Sequence, residues 1–208
     1  MKHKNRSVSF SEAVAAVVLA AGGAHRYGEL KQLLDWNGQP FVRKVANTAL
    51  EAGLSPVIIV TGAQQDIVRQ AVTDLPVKVV YNPDWQKGQS TSVKAGLRAL
   101  PPHCKANIFL LADQPQIPAR LLHSLVEAYT KTNFPVIAPQ VEGHPANPVL
   151  FDHSIFPDFE KITGDMGGRA LFERYPPHLI PWPEPTITLD VDTKSDYRDL
   201  LRYNGDTE

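Results

Sequence analysis

Two short runs in this 208-residue chain, Val57-Ile-Ile-Val60 and Ile108-Phe-Leu-Leu111, are apolar at every position. A strand with one wet face alternates apolar and polar residues, so a strand with no polar position must be covered on both sides. Sheets covered on both faces are mostly parallel and carry helices as their crossovers. The rest of the chain agrees. Residues 41–52, 64–72, 91–100 and 119–129 carry apolar residues three and four apart, the period of an amphipathic helix. They separate candidate strands at 14–20, 56–61, 77–81, 107–112, 135–138 and 187–191. The expected fold is α/β: one Rossmann-like, three-layer αβα sandwich on a mostly parallel sheet, over residues 13–208. Gly53 reads as the residue just past a helix end, and Asp66 as an acid in a first helical turn.

Composition narrows the class. Charged residues make up 21% and the formal net charge is −1, so nothing in the charge balance draws the chain to nucleic acid or an anionic membrane. A single cysteine, Cys104, excludes an internal disulfide and a multi-cysteine zinc site. No apolar run reaches the roughly 18 residues of a membrane span, and the opening Met1-Lys-His-Lys-Asn-Arg lacks the core of a signal peptide. Residues 1–12 read as a disordered or tag-like tail, and the expected location is cytoplasmic. Five prolines fall within residues 176–185, which bars a helix there and permits at most an edge strand.

The first apolar run breaks at Ala20-Ala21-Gly22-Gly23, and Arg26, Gly28 and Lys31 follow closely. Glycine lets backbone N–H groups approach phosphate oxygens, and fixed cations neutralise the charge collected there. Gly23-x4-Gly28 has P-loop spacing, but Glu29-Leu30 stand where Lys and Ser/Thr are required. The dinucleotide fingerprint is absent as well. Asp113 ends the run 108–111 and so emerges at the carboxyl edge of the sheet, where ligands of open α/β sheets bind. A carboxylate there suits Mg²⁺, which takes one or two protein carboxylates plus substrate phosphates; the plain alternative is a turn or helix-capping aspartate. In Ile187-Thr-Leu-Asp-Val-Asp-Thr193, strand alternation would put Asp190 and Asp192 on one face, unless one of them caps the final helix over 195–203.

The order Leu-Ala-Ala-Gly-x-x-x-Arg-x-Gly-x-x-Lys over residues 19–31 resembles the signature of the MobA-like nucleotidyltransferases of molybdenum-cofactor synthesis. Four further blocks fall in the same order. They are Ala-Asp-Gln-Pro at 112–115, Gly88 to Leu97 with Ser92, the Asn-Pro-Val-Leu-Phe of 147–151 with Gly-Asp-Met-Gly-Gly-Arg at 164–169, and Asp-Val-Asp-Thr at 190–193. The resemblance implies a nucleotide-diphospho-sugar-transferase type of fold. It implies that Leu19, Ala20, Ala21, Gly22, Gly23, Arg26 and Lys31 wrap a triphosphate, and that Gly88 and Ser92 meet the base and ribose. Arg26, Lys31 and Asp113 would be catalytic, with Asp113 and Asp192, or else Asp190, holding Mg²⁺. Gln114, Asn147, Asp165, Gly167 and Arg169 would face the acceptor, with capping the alternative for Asp165; residues 169–175 would form a helix.

The Leu-Ala-Ala-Gly loop and Lys31-Gln-Leu-Leu34 resemble cytidylyl-transferring members, so the implied reaction moves CMP from CTP to the terminal phosphate of molybdopterin and releases pyrophosphate. A molybdoenzyme or chaperone would be a transient partner. Departures from the pattern are Ala24 for Ser, Tyr27 for Met, Ala146 for Gly, and Lys194-Ser195 for Pro-Glu. They touch no charged site group and leave the acceptor open. Another nucleotide, a sugar or alcohol phosphate acceptor, or a non-catalytic cofactor carrier are the competing readings. A serine hydrolase is disfavoured because no Gly-x-Ser-x-Gly elbow occurs.

Overall fold

The computed structural model describes residues 14–23, 30–132 and 134–203; the expected tail 1–12 and Arg26 lie outside them. The strands are β1 (Val14–Ala20), β2 (Asp35–Trp36), β3 (Gln39–Pro40), β4 (Val57–Thr61), β5 (Lys78–Tyr81), β6 (Ala106–Leu111), β7 (Val136–Val141), β8 (His144–Pro145), β9 (Val149–Asp152) and β10 (His178–Pro181). The α-helices are α1 (Phe41–Glu51), α2 (Gln65–Ala71), α3 (Gln89–Arg98), α4 (Ala119–Lys131) and α5 (Lys194–Tyr203). The main sheet runs β10-β7-β9-β6-β1-β4-β5, with β8 hydrogen-bonded to β7. β1 pairs in parallel with both β4 and β6, and β4 with β5. β9 is antiparallel to both its neighbours, β6 and β7.

Helices cover both faces, as the unalternated runs demand. On one face α1, α2 and α4 bury Val45, Val68 and Leu122 against Ala16, Ile59 and Ile108 of the sheet. On the other, α3 and a long 3-10 helix over His153–Lys161 bury Val93, Ile155 and Phe159 against Val17, Ile58 and Phe109. Phe109, Phe151 and Phe159 meet edge-on or tilted, with ring centroids 5.1–5.8 Å apart, which adds aromatic contact to the burial. A smaller cluster of Trp36, Phe41, Val191 and Leu200 seats α5 on the β2–β3 corner. The three-layer αβα sandwich is therefore present. Gly53 has φ +71° just past α1, and its N–H closes on the Leu50 carbonyl 2.9 Å away.

Two expectations fail at the C-terminal end. Residues 187–191 do not form a strand: a 3-10 turn over Pro185–Thr188 precedes an irregular stretch. Pro185 opens that turn and cannot donate to a ladder. Ile187 and Val191 are buried, but in different clusters, so their apolar character marks two anchors and not a pleat. Residues 169–175 likewise form only the 3-10 turn Gly168–Leu171 and further turns. Gly167 and Gly168 start it badly, and Pro176-Pro177 stop it. The proline-rich segment supplies β10, an edge strand, and Trp182 N–H then donates to the Gln140 carbonyl at 2.9 Å. No helix among the described residues is long and apolar enough to cross a membrane.

Candidate active site

Because β1, β4, β5 and β6 are parallel, their carboxyl ends lie along one edge of the sheet. Two clefts open there. The first, of about 600 Å³, is lined by Leu19 to Gly23, Lys31, Gly88, Ser92 and Asp113. The second, of about 750 Å³, is lined by Gln114, Asn147, Asp165, Gly167, Arg169 and Asp190. Every nucleotide-side residue named from the sequence lines the first cleft if it is described at all, and every acceptor-side residue lines the second. The two clefts share Leu19, Gln89, Leu111 and Asp165.

The loop after β1 is held from below by a residue the sequence did not single out. Gln32 is buried, and its Nε2 donates to the carbonyls of Ala20 (3.1 Å) and Gly22 (2.6 Å). Across a planar trans peptide the C=O and the next N–H point in opposite directions, so the N–H groups of Ala21 and Gly23 face away from Gln32. In the sequence Gln32 was marked only by its place in the run Lys31-Gln-Leu-Leu34. The start of α3 is fixed by Asn82, also buried and also unmarked. Its Nδ2 donates to Thr91 Oγ1 (2.8 Å) and Ser92 Oγ (2.9 Å), while its Oδ1 accepts from Asp84 N–H. Thr91 gives its hydroxyl to the Gly88 and Asp84 carbonyls, and Ser92 remains at the cleft wall.

Gly88 is required at this point for two reasons. Its φ is +106°, and a Cβ there would fall 2.3 Å from the Gly164 carbonyl carbon. The 164–168 loop thus packs directly on the entry to α3, and Ser90 N–H donates to Gly164 O at 3.0 Å. This brings Asp165, at sequence distance 76 from Gln89, to the boundary of both clefts.

The charged corner is made by three loops. Lys31 Nζ lies 2.7 Å from Asp192 Oδ1 and 3.5 Å from Asp113 Oδ2. Asp190 Oδ1 accepts from Gln114 Nε2 at 2.8 Å. The structure therefore separates the two candidate carboxylates that strand alternation had placed together: Asp192 meets Lys31 and Asp190 meets Gln114. The helix cap here is Thr193, whose Oγ1 accepts the Asp196 N–H at 3.2 Å, while Asp196 Oδ2 reaches back to accept the N–H of Asp192 (3.0 Å) and Thr193 (2.7 Å). Burial pushes the Asp113 carboxyl above the ordinary carboxylate range and the charge of Asp190 adds to this, while Lys31 pulls it down. Burial works against the Lys31 charge, but the hydrogen bond to Asp192 and the field of Asp113 outweigh it and raise its pKa.

Asp113 and Asp192 converge on one ammonium group, so the pair can hold a cation. Their donors are all oxygen, which suits a hard divalent ion. Among the described residues no group of three or more His, Cys, Asp or Glu is arranged to hold a metal. The donor set therefore fits an ion that completes its shell with phosphate oxygens and water.

The family model for the MobA-like NTP transferase domain matches residues 16–179. The chain belongs to that family. It is 30% identical to a nicotine blue oxidoreductase of Paenarthrobacter nicotinovorans, covering 90% of this chain and 96% of the relative. It is 24% identical to the molybdenum cofactor cytidylyltransferase of Escherichia coli strain K12, covering 89% and 94%. Among solved structures, Rv0371c of Mycobacterium tuberculosis superposes with a TM-score of 0.83 at 28% identity, covering 91% of this chain and 97% of that one. Rv0371c has also been solved in complex with manganese. The chain is thus a MobA-like nucleotidyltransferase by family, with the nucleotide and the acceptor still to be assigned.

Proposed function

We propose that the protein transfers CMP from CTP to the terminal phosphate of molybdopterin or its molybdenum form, with Mg²⁺ and with release of pyrophosphate. The observation that carries this reading is the contact between the two clefts. One is lined by a glycine-rich loop and Lys31, the other by Asn147 and Arg169, and both border Leu19, Gln89, Leu111 and Asp165. Nucleotidyl transfer needs that juxtaposition: a donor triphosphate and an acceptor phosphate brought together in line, with their charge neutralised.

In this reading the N–H groups of the loop at 21–23, with Lys31 and Arg26, hold the β- and γ-phosphates and stabilise charge on the departing pyrophosphate. Gly88 and Ser92 position the base and ribose. Asp113 and Asp192 would hold Mg²⁺, which when bound withdraws charge from the α-phosphate; Asp190, held by Gln114, is the alternative ligand. Gln114, Asn147, Asp165, Gly167 and Arg169 seat the acceptor. An acceptor phosphate oxygen forms a bond to the α-phosphorus as the bond to the bridging oxygen of pyrophosphate breaks. No side chain has to remove a proton, since a phosphate monoester is ionised near neutral pH. The preference for CTP rests on the Leu-Ala-Ala-Gly loop and on the Escherichia coli relative. A molybdoenzyme or chaperone receives the product, and the expected compartment is the cytoplasm.

The test is pyrophosphate release with CTP, GTP, ATP and UTP in parallel, with Mg²⁺, with and without molybdopterin. Release confined to CTP plus the pterin supports the reading. Release with another nucleotide keeps the chemistry and changes the donor. A second reading is favoured by the name of the Paenarthrobacter relative: an oxidoreductase whose two clefts hold a redox pair. It predicts no pyrophosphate with any nucleotide and consumption of a reduced cofactor instead.

A further inference from the structure

Residues 185–192 lie outside the sheet, so no strand ladder sets Asp190 and Asp192 against Asp113. Lys31 bridges Asp113 and Asp192, and further contacts come from the loop that carries Asp113 itself. Gln116, three residues on, donates through one Nε2 to the carbonyls of Thr186 (3.2 Å) and Leu189 (2.7 Å). These carbonyls lie at the end of the 3-10 turn Pro185–Thr188, where the Thr186 carbonyl also accepts the Leu189 N–H at 3.2 Å. Gln114 adds the bond to Asp190 Oδ1. The two glutamines bridge sequence distances of 70–76 residues.

Gln116 also carries a buried Oε1 with no hydrogen-bond partner among the described residues. We infer that Gln116 is a positioning residue for the metal corner: its carboxamide fixes residues 186–189, and through them the carboxylates of Asp190 and Asp192, relative to Asp113. Gln116 lines neither cleft. This deepens the metal-dependent reading above and rests on it. Groups that orient metal ligands at one remove typically govern affinity by about 10–100-fold.

The test uses the full chain and Mn²⁺ alone, with free ion followed by its EPR signal. Wild type, Asp113→Ala, Gln116→Met and Gln116→Asn are titrated side by side. CTP binding in EDTA is measured on the same samples, because a general structural defect would weaken it too. The inference predicts that Gln116→Met binds Mn²⁺ about tenfold or more weakly, with CTP binding in EDTA unchanged. Gln116→Asn, one methylene too short to reach both carbonyls, behaves alike and decides the matter if the Met variant does not fold. Unchanged Mn²⁺ affinity in a folded variant, beside a wild type whose binding needs Asp113, overturns the inference alone. Equal Mn²⁺ binding by wild type and Asp113→Ala overturns the metal-dependent reading and this inference with it.

Discussion

Single side chains carry most of the site, and their burial decides what replacing them does. Asp113 is the residue on which Lys31, Asp190 and the cleft converge. Asp113→Ala is expected to lower nucleotidyl transfer by about 10²–10³-fold, the size seen when one preorganised electrostatic group is lost, with thermal stability little changed. Steady-state rates and a melting curve on the same sample check both halves. A carrier would instead keep its pterin affinity in that variant. Asn107 is the opposite case. It is fully buried in β6, away from the clefts, and neither its Oδ1 nor its Nδ2 has a partner among the described residues. Replacing an unsatisfied buried amide by an apolar group of similar shape removes a penalty of about 1–3 kcal/mol. Asn107→Leu is therefore expected to raise the midpoint of thermal unfolding and leave turnover unchanged; a lowered midpoint would contradict this.

At the scale of elements, the loops that join α3, residues 164–168 and the C-terminal segment behave as one unit. Gly88→Ala puts a Cβ into the Gly164 backbone and forces a residue with φ +106° into a region L side chains avoid. It should destabilise by about 1–3 kcal/mol in denaturant unfolding and should weaken donor and acceptor binding together. The 3-10 helix His153–Lys161 is tied to the following turn by Asp158, which accepts from Lys161, Arg174 and Tyr175 at 2.6–2.9 Å. The Lys161 hydrogen bond, then Tyr175 and the Arg174 charge, hold the Asp158 carboxyl below its ordinary value. A depressed folded-state pKa gives stability that is present above the unfolded value near 3.9 and lost as pH falls through the folded one. Asp158→Asn should thus flatten the acid-side loss of stability below about pH 4, measured as unfolding midpoint against pH. Much of this level was legible in the sequence. Apolar runs without alternation gave the covered strands, and three-and-four spacing gave α1 to α4. What was not legible depends on partners distant in the chain. Residues 187–191 look like a strand by period, yet Pro185 and two separate burial sites override it. β9 was visible only as a motif, because its antiparallel pairing with β6 and β7 is a tertiary choice. Asn82 and Gln116 leave no local pattern at all, and Gln32 only its place in Lys31-Gln-Leu-Leu34; they matter through the carbonyls and hydroxyls they meet.

For the molecule as a whole, the parallel order of β5, β4, β1 and β6 brings the loop at 19–23, the entry to α3 and Asp113 to one edge. The antiparallel β9 then presents Asn147 beside the end of β6. That topology is why blocks spread over some 170 residues form two adjoining clefts. The central claim is that these clefts pass a nucleotidyl group from one to the other. The most direct measurement is incubation with CTP labelled at the α-phosphate, Mg²⁺ and molybdopterin, followed by separation of the pterin product. The account predicts label on the pterin with wild type and its loss with Asp113→Ala. Label that stays on CTP, in a protein that binds both ligands, would contradict it.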